Sequence, residues 1–124
     1  MSNWLRSVTY LSLSWGIFLN IAVVANLEFV RPLAAGGQFD TFPTIIRLIY
    51  LVQTVWLMYQ TYVFNRLTKN LPIKPRWIIT IFVYLGLIGT LLNLISQSNL
   101  ERLNALPLAV ITYSFWKLRG KSLK

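Results

Sequence analysis

The sequence predicts an all-α protein, a polytopic transmembrane bundle of four helices formed as one domain by residues 1–124. The composition is the first observation: 56% of the residues are hydrophobic and only 12% are charged, whereas about a quarter of a soluble domain is charged. The second is that the apolar residues form four blocks without internal charges, so no helix has the charged face that a soluble bundle needs. The third is a strong asymmetry of basic residues between alternate connections.

The first helix is predicted over residues 5–31. The block Ser7–Leu27 contains 21 residues without a charge, and about 20 residues of helix span the hydrocarbon core of a bilayer. A signal peptide is the alternative, but its apolar region is usually about 7–15 residues long, and Asn20 interrupts this one. We therefore expect a retained helix, which Pro32 ends.

The second and third helices are predicted over residues 43–66 and 76–97. The block Leu48–Asn65 has 18 residues without a charge, and Pro43 precedes it where a helix can begin. The block Trp77–Leu100 has 24 such residues, enough for a complete span.

The fourth helix is predicted over residues 99–118. Its charge-free block, Leu103–Trp116, has only 14 residues, so the helix is expected to start earlier. Ser98 and Glu101 have the spacing of a capping box, which marks such a start. Pro107 would then lie inside the helix and kink it, because proline offers no amide hydrogen to the preceding turn.

The distribution of charge predicts the orientation of the bundle. The formal net charge is +9, and if the helices alternate, one side carries nine basic residues and the other side sums to zero. The nine are Arg6, Arg66, Lys69, Lys74, Arg76, Lys117, Arg119, Lys121 and Lys124. The positive-inside rule places this side in the cytoplasm with both termini, in a plasma (inner) membrane. Six of them are predicted to contact lipid headgroups: Arg66, Lys69, Lys74, Arg76, Lys117 and Arg119.

Several classes of chemistry are excluded by the residues that the chain lacks. Without cysteine or histidine, it offers no thiol catalysis, no disulfide and no histidine-ligated metal. The sequence predicts a non-enzymatic protein with no metal and no cofactor, in which Ser114 and Lys117 form the one conceivable nucleophile–base pair. Since the predicted membrane orientation accounts for the excess of basic residues, we expect no nucleic-acid partner.

Polar residues inside the predicted spans form stripes at helical spacing. Helix packing is one explanation, because small residues let backbones approach and amides or hydroxyls can bond between helices. We assign this role to Gly16, Gly86, Gly89 and Thr90. A polar path between helices 2 and 3 is the other explanation, with the side-chain amides of Asn20, Gln53, Gln60 and Asn93 along it.

A second candidate site is a charged cluster near the outer boundary. Glu28 and Arg31 are three residues apart on the predicted last turn of helix 1, and Arg47 begins the next helix. Ion pairing at the interface with snorkelling of the arginines would explain the cluster. A substrate or proton site at the outer mouth is the alternative.

Two functions follow from these features. The first is an accessory or structural subunit of a larger membrane complex, since 18 aromatic residues, including Trp15 and Trp56 within spans, suit packing against partners. The second is a transporter or channel for a small molecule or ion, which would need a homo-oligomer because four helices enclose little volume.

Overall fold

The computed structural model describes residues 2–33, 41–96 and 102–122 of the chain. Within these ranges the protein is all-helical, without strands, and has four α-helices: α1 (Asn3–Val24), α2 (Thr44–Thr68), α3 (Trp77–Leu94) and α4 (Ala105–Ser122). A short 3-10 helix, Glu28–Leu33, lies between α1 and α2. The predicted all-α class and the number of helices are confirmed.

Two of the helices are long and apolar enough to cross a membrane. These are α1, with 22 residues and a mean hydropathy of 1.6, and α3, with 18 residues and a mean hydropathy of 2.0. Threonine, glutamine and tyrosine lower the mean hydropathy of α2, and basic residues lower that of α4. Helix composition therefore supports a membrane association through α1 and α3.

The first helix is shorter than the predicted 5–31, and the residues that end it lie directly after its last turn. Asn26 has a left-handed backbone (φ 58°), which asparagine adopts more readily than most residues. The Leu27 amide bonds to the Ala22 carbonyl at 3.0 Å, and the Asn26 amide bonds to that of Val23 at 2.9 Å. This pair of bonds is a Schellman motif, which ends a helix. The prediction that Pro32 ends helix 1 is therefore wrong.

The second helix ends by the same device. Asn70 is left-handed (φ 59°), the Leu71 amide bonds to the Arg66 carbonyl at 2.9 Å, and the Asn70 amide bonds to that of Leu67 at 3.1 Å. Pro43 immediately precedes α2, close to the predicted start. An asparagine–leucine pair thus closes both helices.

The fourth helix starts later than predicted. Leu103 and Asn104 form a turn, and α4 begins at Ala105, which makes Pro107 its third residue. Proline in the first turn of a helix removes no helical hydrogen bond, so the predicted kink at Pro107 is wrong. The predicted capping box, Ser98 to Glu101, lies outside the described residues.

Neighbouring helices run in alternate directions. α1 packs against both α2 and α4, and α4 packs against α3. Three side-chain pairs join the ends of helices that meet on one side: Thr9 with Ser114, Tyr10 with Asn65, and Arg119 with Thr80. We call this side the basic end. Its described basic side chains are Arg6, Arg66, Lys69, Lys74, Arg76, Lys117 and Arg119. Lys121 and Lys124 belong to the same prediction, but their side chains lie outside the described part.

The main apolar core fills the half of the bundle near the basic end. Phe64, Phe82 and Phe115 are fully buried there. The ring centroid of Phe115 lies 6.0 Å from that of Phe64 and 4.9 Å from that of Phe82. α2 and α3 are joined through Trp56 and Tyr59, whose ring centroids lie 5.2 and 5.8 Å from that of Phe82. Beyond these rings, α2 and α3 do not pack closely.

Candidate functional site

A cavity of about 400 Å³ lies between the four helices, and every helix contributes to its wall. Its polar and aromatic lining residues are Ser12, Trp15, Asn20, Tyr50, Gln53, Trp56, Gln60, Asn93 and Asn104. The structure thus brings together all four residues that were predicted along a polar path: Asn20, Gln53, Gln60 and Asn93. We call this space the central cavity.

Asn20 presents a buried acceptor to the cavity. Its side chain is only 8% exposed, and its Nδ2 donates to the Gly16 carbonyl of the same helix at 2.6 Å. Its Oδ1 is buried without a hydrogen-bond partner in the described part of the chain. An unsatisfied buried acceptor costs about 1–3 kcal/mol, so this atom is a natural contact for a bound molecule.

The other three amides also have unused hydrogen-bonding capacity. Gln60 is 5% exposed, Asn93 is half-buried and Gln53 is exposed. Their side chains make no hydrogen bond with the residues that the structure describes. Each amide offers two donor hydrogens and an acceptor oxygen, so α2 and α3 supply both kinds of group to the cavity.

Glycines bring the helices close around the cavity. A Cβ on Gly16 would lie 3.1 Å from Leu57 Cδ1, and one on Gly89 would lie 2.9 Å from Leu108 Cδ2. Gly86 is tighter still, since a Cβ there would overlap the hydroxyl oxygen of Thr112 of α4. The three glycines thus lie where helices make close contact. Thr90 bonds within its own helix, to the Gly86 carbonyl at 2.7 Å, so its hydroxyl makes no described bond between helices.

The charged cluster predicted near the outer boundary is not assembled as an ion-paired site. Glu28 and Arg31 lie on the 3-10 helix, and they form no ion pair within the described ranges even though residues three apart share one face of a 3-10 helix. Glu28 is exposed, and Arg31 Nε is buried without a partner there. Arg47 Nε instead donates to the Val24 carbonyl at 2.7 Å. It thus stabilises the C-terminal end of α1, where carbonyls lack helical partners and a cation is favourable.

The side chains predicted to contact lipid headgroups surround the basic end. Lys69, Lys74, Arg76 and Lys117 are exposed. Arg66 donates from Nε to the Pro72 carbonyl at 3.1 Å and lies 5.8 Å from the centre of the Tyr62 ring. Arg119 donates from Nε to Thr80 Oγ1 at 2.8 Å.

The lining of the cavity limits its chemistry. No lysine, arginine, aspartate or glutamate lines it, and the described residues contain no group of three potential metal ligands. Ser114 is fully buried and bonded to Thr9 at 2.5 Å, whereas Lys117 is exposed. A space lined by amides, hydroxyls and aromatic rings suits an uncharged molecule with hydrogen-bonding groups.

Sequence reasoning missed one polar contact at the cavity. Trp15 Nε1 donates to Asn104 Oδ1 at 3.1 Å and connects α1 with the turn before α4. The only signal was that both residue types carry a polar group that needs a partner when buried. Nothing in the spacing of the sequence identified which residues would meet.

Comparisons with protein-family models, with curated proteins and with solved structures gave no match.

Proposed function

We propose that this chain is a multi-pass membrane protein that binds a small uncharged molecule in the central cavity. All four helices are embedded in the bilayer, and the basic end faces the cytoplasm. The observation that carries the proposal is the convergence of four side-chain amides on one cavity that no charged residue lines.

The distribution of apolar surface supports four embedded helices. On α2, which falls below the hydropathy of a candidate span, the exposed large apolar residues are Ile45, Leu48, Ile49, Leu51, Val52, Val55, Met58 and Tyr62. Its charge-free block, Leu48–Asn65, is about 27 Å long at 1.5 Å per residue, close to the roughly 30 Å of a hydrocarbon core. A soluble protein does not expose a continuous apolar face of this size.

The buried residues support the same conclusion. Only 28% of the apolar window of α3 is buried inside the protein, whereas the core helix of a soluble protein is mostly buried. Thr9, Gln60 and Ser114 are buried while large aliphatic side chains face outward. Buried polar side chains beneath an apolar outer surface are expected where lipid is the solvent.

The orientation follows from the alternation of the helices. All seven described basic residues of the predicted cytoplasmic side lie at one end of the bundle, and the positive-inside rule assigns that end to the cytoplasm. Lys117 and Arg119 extend the short apolar part of α4, because their aliphatic stems can lie along the bilayer while the charges reach the headgroups.

The shape of the cavity favours binding over passage through one bundle. Phe64, Phe82 and Phe115 are fully buried on its basic-end side and do not line it. This aromatic layer closes the cavity toward the predicted cytoplasm. The bundle is therefore suited to hold a ligand, as in the binding step of a small-molecule carrier.

The accessory-subunit function remains a second candidate because of an exposed row of aromatic rings. The row consists of Trp15, Phe18 and Phe29, which are each 40–50% exposed. The ring centroid of Phe18 lies 6.0 Å from that of Trp15 and 5.7 Å from that of Phe29. Exposed aromatic clusters of this kind are typical of interfaces. The row would be the surface that contacts a partner subunit.

One experiment tests both candidates. The protein is extracted from its membrane in mild detergent, and its intact mass is measured by native mass spectrometry. We expect a small-molecule adduct on the wild type that is lost in Asn93→Phe, which fills the cavity. The control Leu91→Phe should keep it, since Leu91 is exposed on the same helix and does not line the cavity.

The possible outcomes separate the candidates. A wild-type particle without an adduct, or an adduct that Asn93→Phe retains, contradicts ligand binding in the cavity. Co-purification of unrelated subunits in fixed ratio, abolished by Phe18→Ser, would establish the accessory function instead.

A further inference from the structure

We propose that the ligand of the central cavity is a single-chain amphiphile with a hydroxyl headgroup, which enters from the bilayer between α2 and α3. Its hydroxyl donates to Asn20 Oδ1, and its chain extends through the opening between these two helices. This inference rests on the proposed function and specifies the ligand class and its route.

The hydrogen bonds of Asn20 determine which group it can receive. Its Nδ2 is only 2.6 Å from the Gly16 carbonyl, so the reverse amide orientation would bring two oxygens together and is excluded by repulsion. Oδ1 is therefore the atom that remains without a partner. A carbonyl, ether or ester of a ligand cannot satisfy it, because each is an acceptor.

The other polar residues of α1 that line the cavity also have their donors engaged within the protein. Ser12 Oγ donates its hydrogen to the Val8 carbonyl at 2.9 Å, which leaves only acceptor capacity toward the cavity. Trp15 Nε1 donates to Asn104. Apart from the second hydrogen of the Asn20 amide, the donors of these three residues are used within the protein. The free groups of α1 at the cavity are therefore mainly acceptors, and the complementary ligand group is a donor such as a hydroxyl.

The route follows from where the described helices leave the wall of the cavity incomplete. α2 and α3 meet through the rings of Trp56, Tyr59 and Phe82 and do not pack closely beyond them. Leu85 and Leu92 of α3 line the cavity and are 48% and 60% exposed. An opening bordered by leucines faces the hydrocarbon in the proposed membrane orientation, so an apolar chain can lie in it.

Two tryptophans make the cavity observable. Trp15 and Trp56 line it, whereas Trp4, Trp77 and Trp116 are exposed at the basic end. A reporter protein with Trp4→Phe, Trp77→Phe and Trp116→Phe retains only the cavity pair. It is reconstituted in phosphatidylcholine vesicles and titrated with 8-bromooctan-1-ol or 1-bromooctane, whose bromine quenches nearby indoles.

We expect saturable quenching by the alcohol at about a tenfold lower membrane mole fraction than by the bromoalkane, the effect of one satisfied buried hydrogen bond. Asn20→Leu in the reporter should remove this preference, and Ser12→Ala should reduce it. The control protein with Trp15→Phe and Trp56→Phe reports only the basic end, where both probes should quench without saturation and equally. Circular dichroism establishes that each variant is helical.

The results distinguish this inference from the function on which it rests. Equal saturable quenching by both probes, or a preference that persists in both Asn20→Leu and Ser12→Ala, overturns hydroxyl recognition while the cavity remains a binding site. No saturable quenching by either probe overturns the route from the bilayer. The mass-spectrometric adduct and its loss in Asn93→Phe test the proposed function independently.

Discussion

Replacing Gly86 with alanine tests the contact between α3 and α4 on which the cavity depends. Gly86 is buried, and an added Cβ would overlap the hydroxyl oxygen of Thr112 while lying 3.1 Å from the Thr112 Cβ. Thr112 Oγ1 donates to the Leu108 carbonyl at 2.8 Å. The added methyl group must therefore separate the helices or rotate the threonine away from this bond.

The expected cost combines three contributions. Overpacking a well-packed core costs about 1–3 kcal/mol, and the upper end applies because three Thr112 atoms lie within 3.2 Å of the added carbon. Loss of the threonine hydrogen bond adds about 1 kcal/mol. Alanine recovers about 1 kcal/mol over glycine through its helix propensity. We expect Gly86→Ala to lower the free energy of unfolding by about 2–3 kcal/mol.

A second substitution distinguishes overlap from a general loss of stability. Thr112→Ala alone should destabilise by about 1 kcal/mol through lost buried volume. In the Gly86→Ala background the same change removes the overlapping atoms and should restore about 1 kcal/mol, so that the sign of its effect reverses. Gly120→Ala is the control, since an added Cβ meets nothing within 4 Å there.

The assay is a titration with sodium dodecyl sulfate in mixed micelles, followed by tryptophan fluorescence and circular dichroism. The reasoning is refuted if Gly86→Ala unfolds at the same detergent fraction as Gly120→Ala. It is also refuted if Thr112→Ala destabilises both backgrounds equally.

Three further predictions use the same cysteine-free chain. Arg47→Met should destabilise the protein by about 1–2 kcal/mol in the detergent titration, because the Val24 carbonyl loses a charged donor. Arg47→Lys should recover part of this stability. Equal stability of the wild type and both variants would contradict this role. Asn70→Ala should cost about 1 kcal/mol and Asn70→Gly only a few tenths, since the residue is left-handed. The same titration checks this, and equal costs would contradict it. An impermeant maleimide added to intact cells should label Thr41→Cys, at an exposed position before α2, but reach Lys69→Cys only after permeabilisation; the reverse pattern would refute the orientation.

The number and class of the helices could be predicted from the sequence because hydrophobic blocks are a property of the local chain. The ends of the helices were predicted less well. Pro32 and Pro107 suggested boundaries and kinks, whereas the observed ends of α1 and α2 depend on left-handed asparagines at positions 26 and 70. That signal is also local, since each asparagine precedes a leucine that closes a Schellman motif.

The charged cluster shows where local reasoning fails. The prediction that Glu28 pairs with Arg31 assumed a continuous helix, in which residues three apart face one another. The two residues lie instead on a 3-10 helix, where residues three apart also share a face, yet they form no ion pair within the described ranges. The contact between Arg47 and the Val24 carbonyl joins residues 23 positions apart, and no spacing rule predicts such a pair.

The polar residues of the spans had two explanations, and the structure distributes them between the two. At the basic end, Thr9 with Ser114, Tyr10 with Asn65 and Arg119 with Thr80 form hydrogen bonds between helices. Asn104 at the cavity accepts from Trp15, whereas the amides of Asn20, Gln53, Gln60 and Asn93 form no hydrogen bond with another described helix. The hydroxyls of Thr54, Thr61, Thr90 and Thr112 bond to carbonyls within their own helices.

This division argues for a binding role of the cavity. If the amides served only to join helices, their donors and acceptors would be paired between helices, as the hydroxyls at the basic end are. Gln60 is instead 5% exposed with an amide that makes no hydrogen bond to the described residues. Asn20 keeps a buried oxygen without a partner in the same part of the chain. Burying such groups lowers stability unless something satisfies them. Under the proposed function, a ligand that donates hydrogen bonds in the cavity would supply the missing partners, and its binding free energy would add to the stability of the folded bundle.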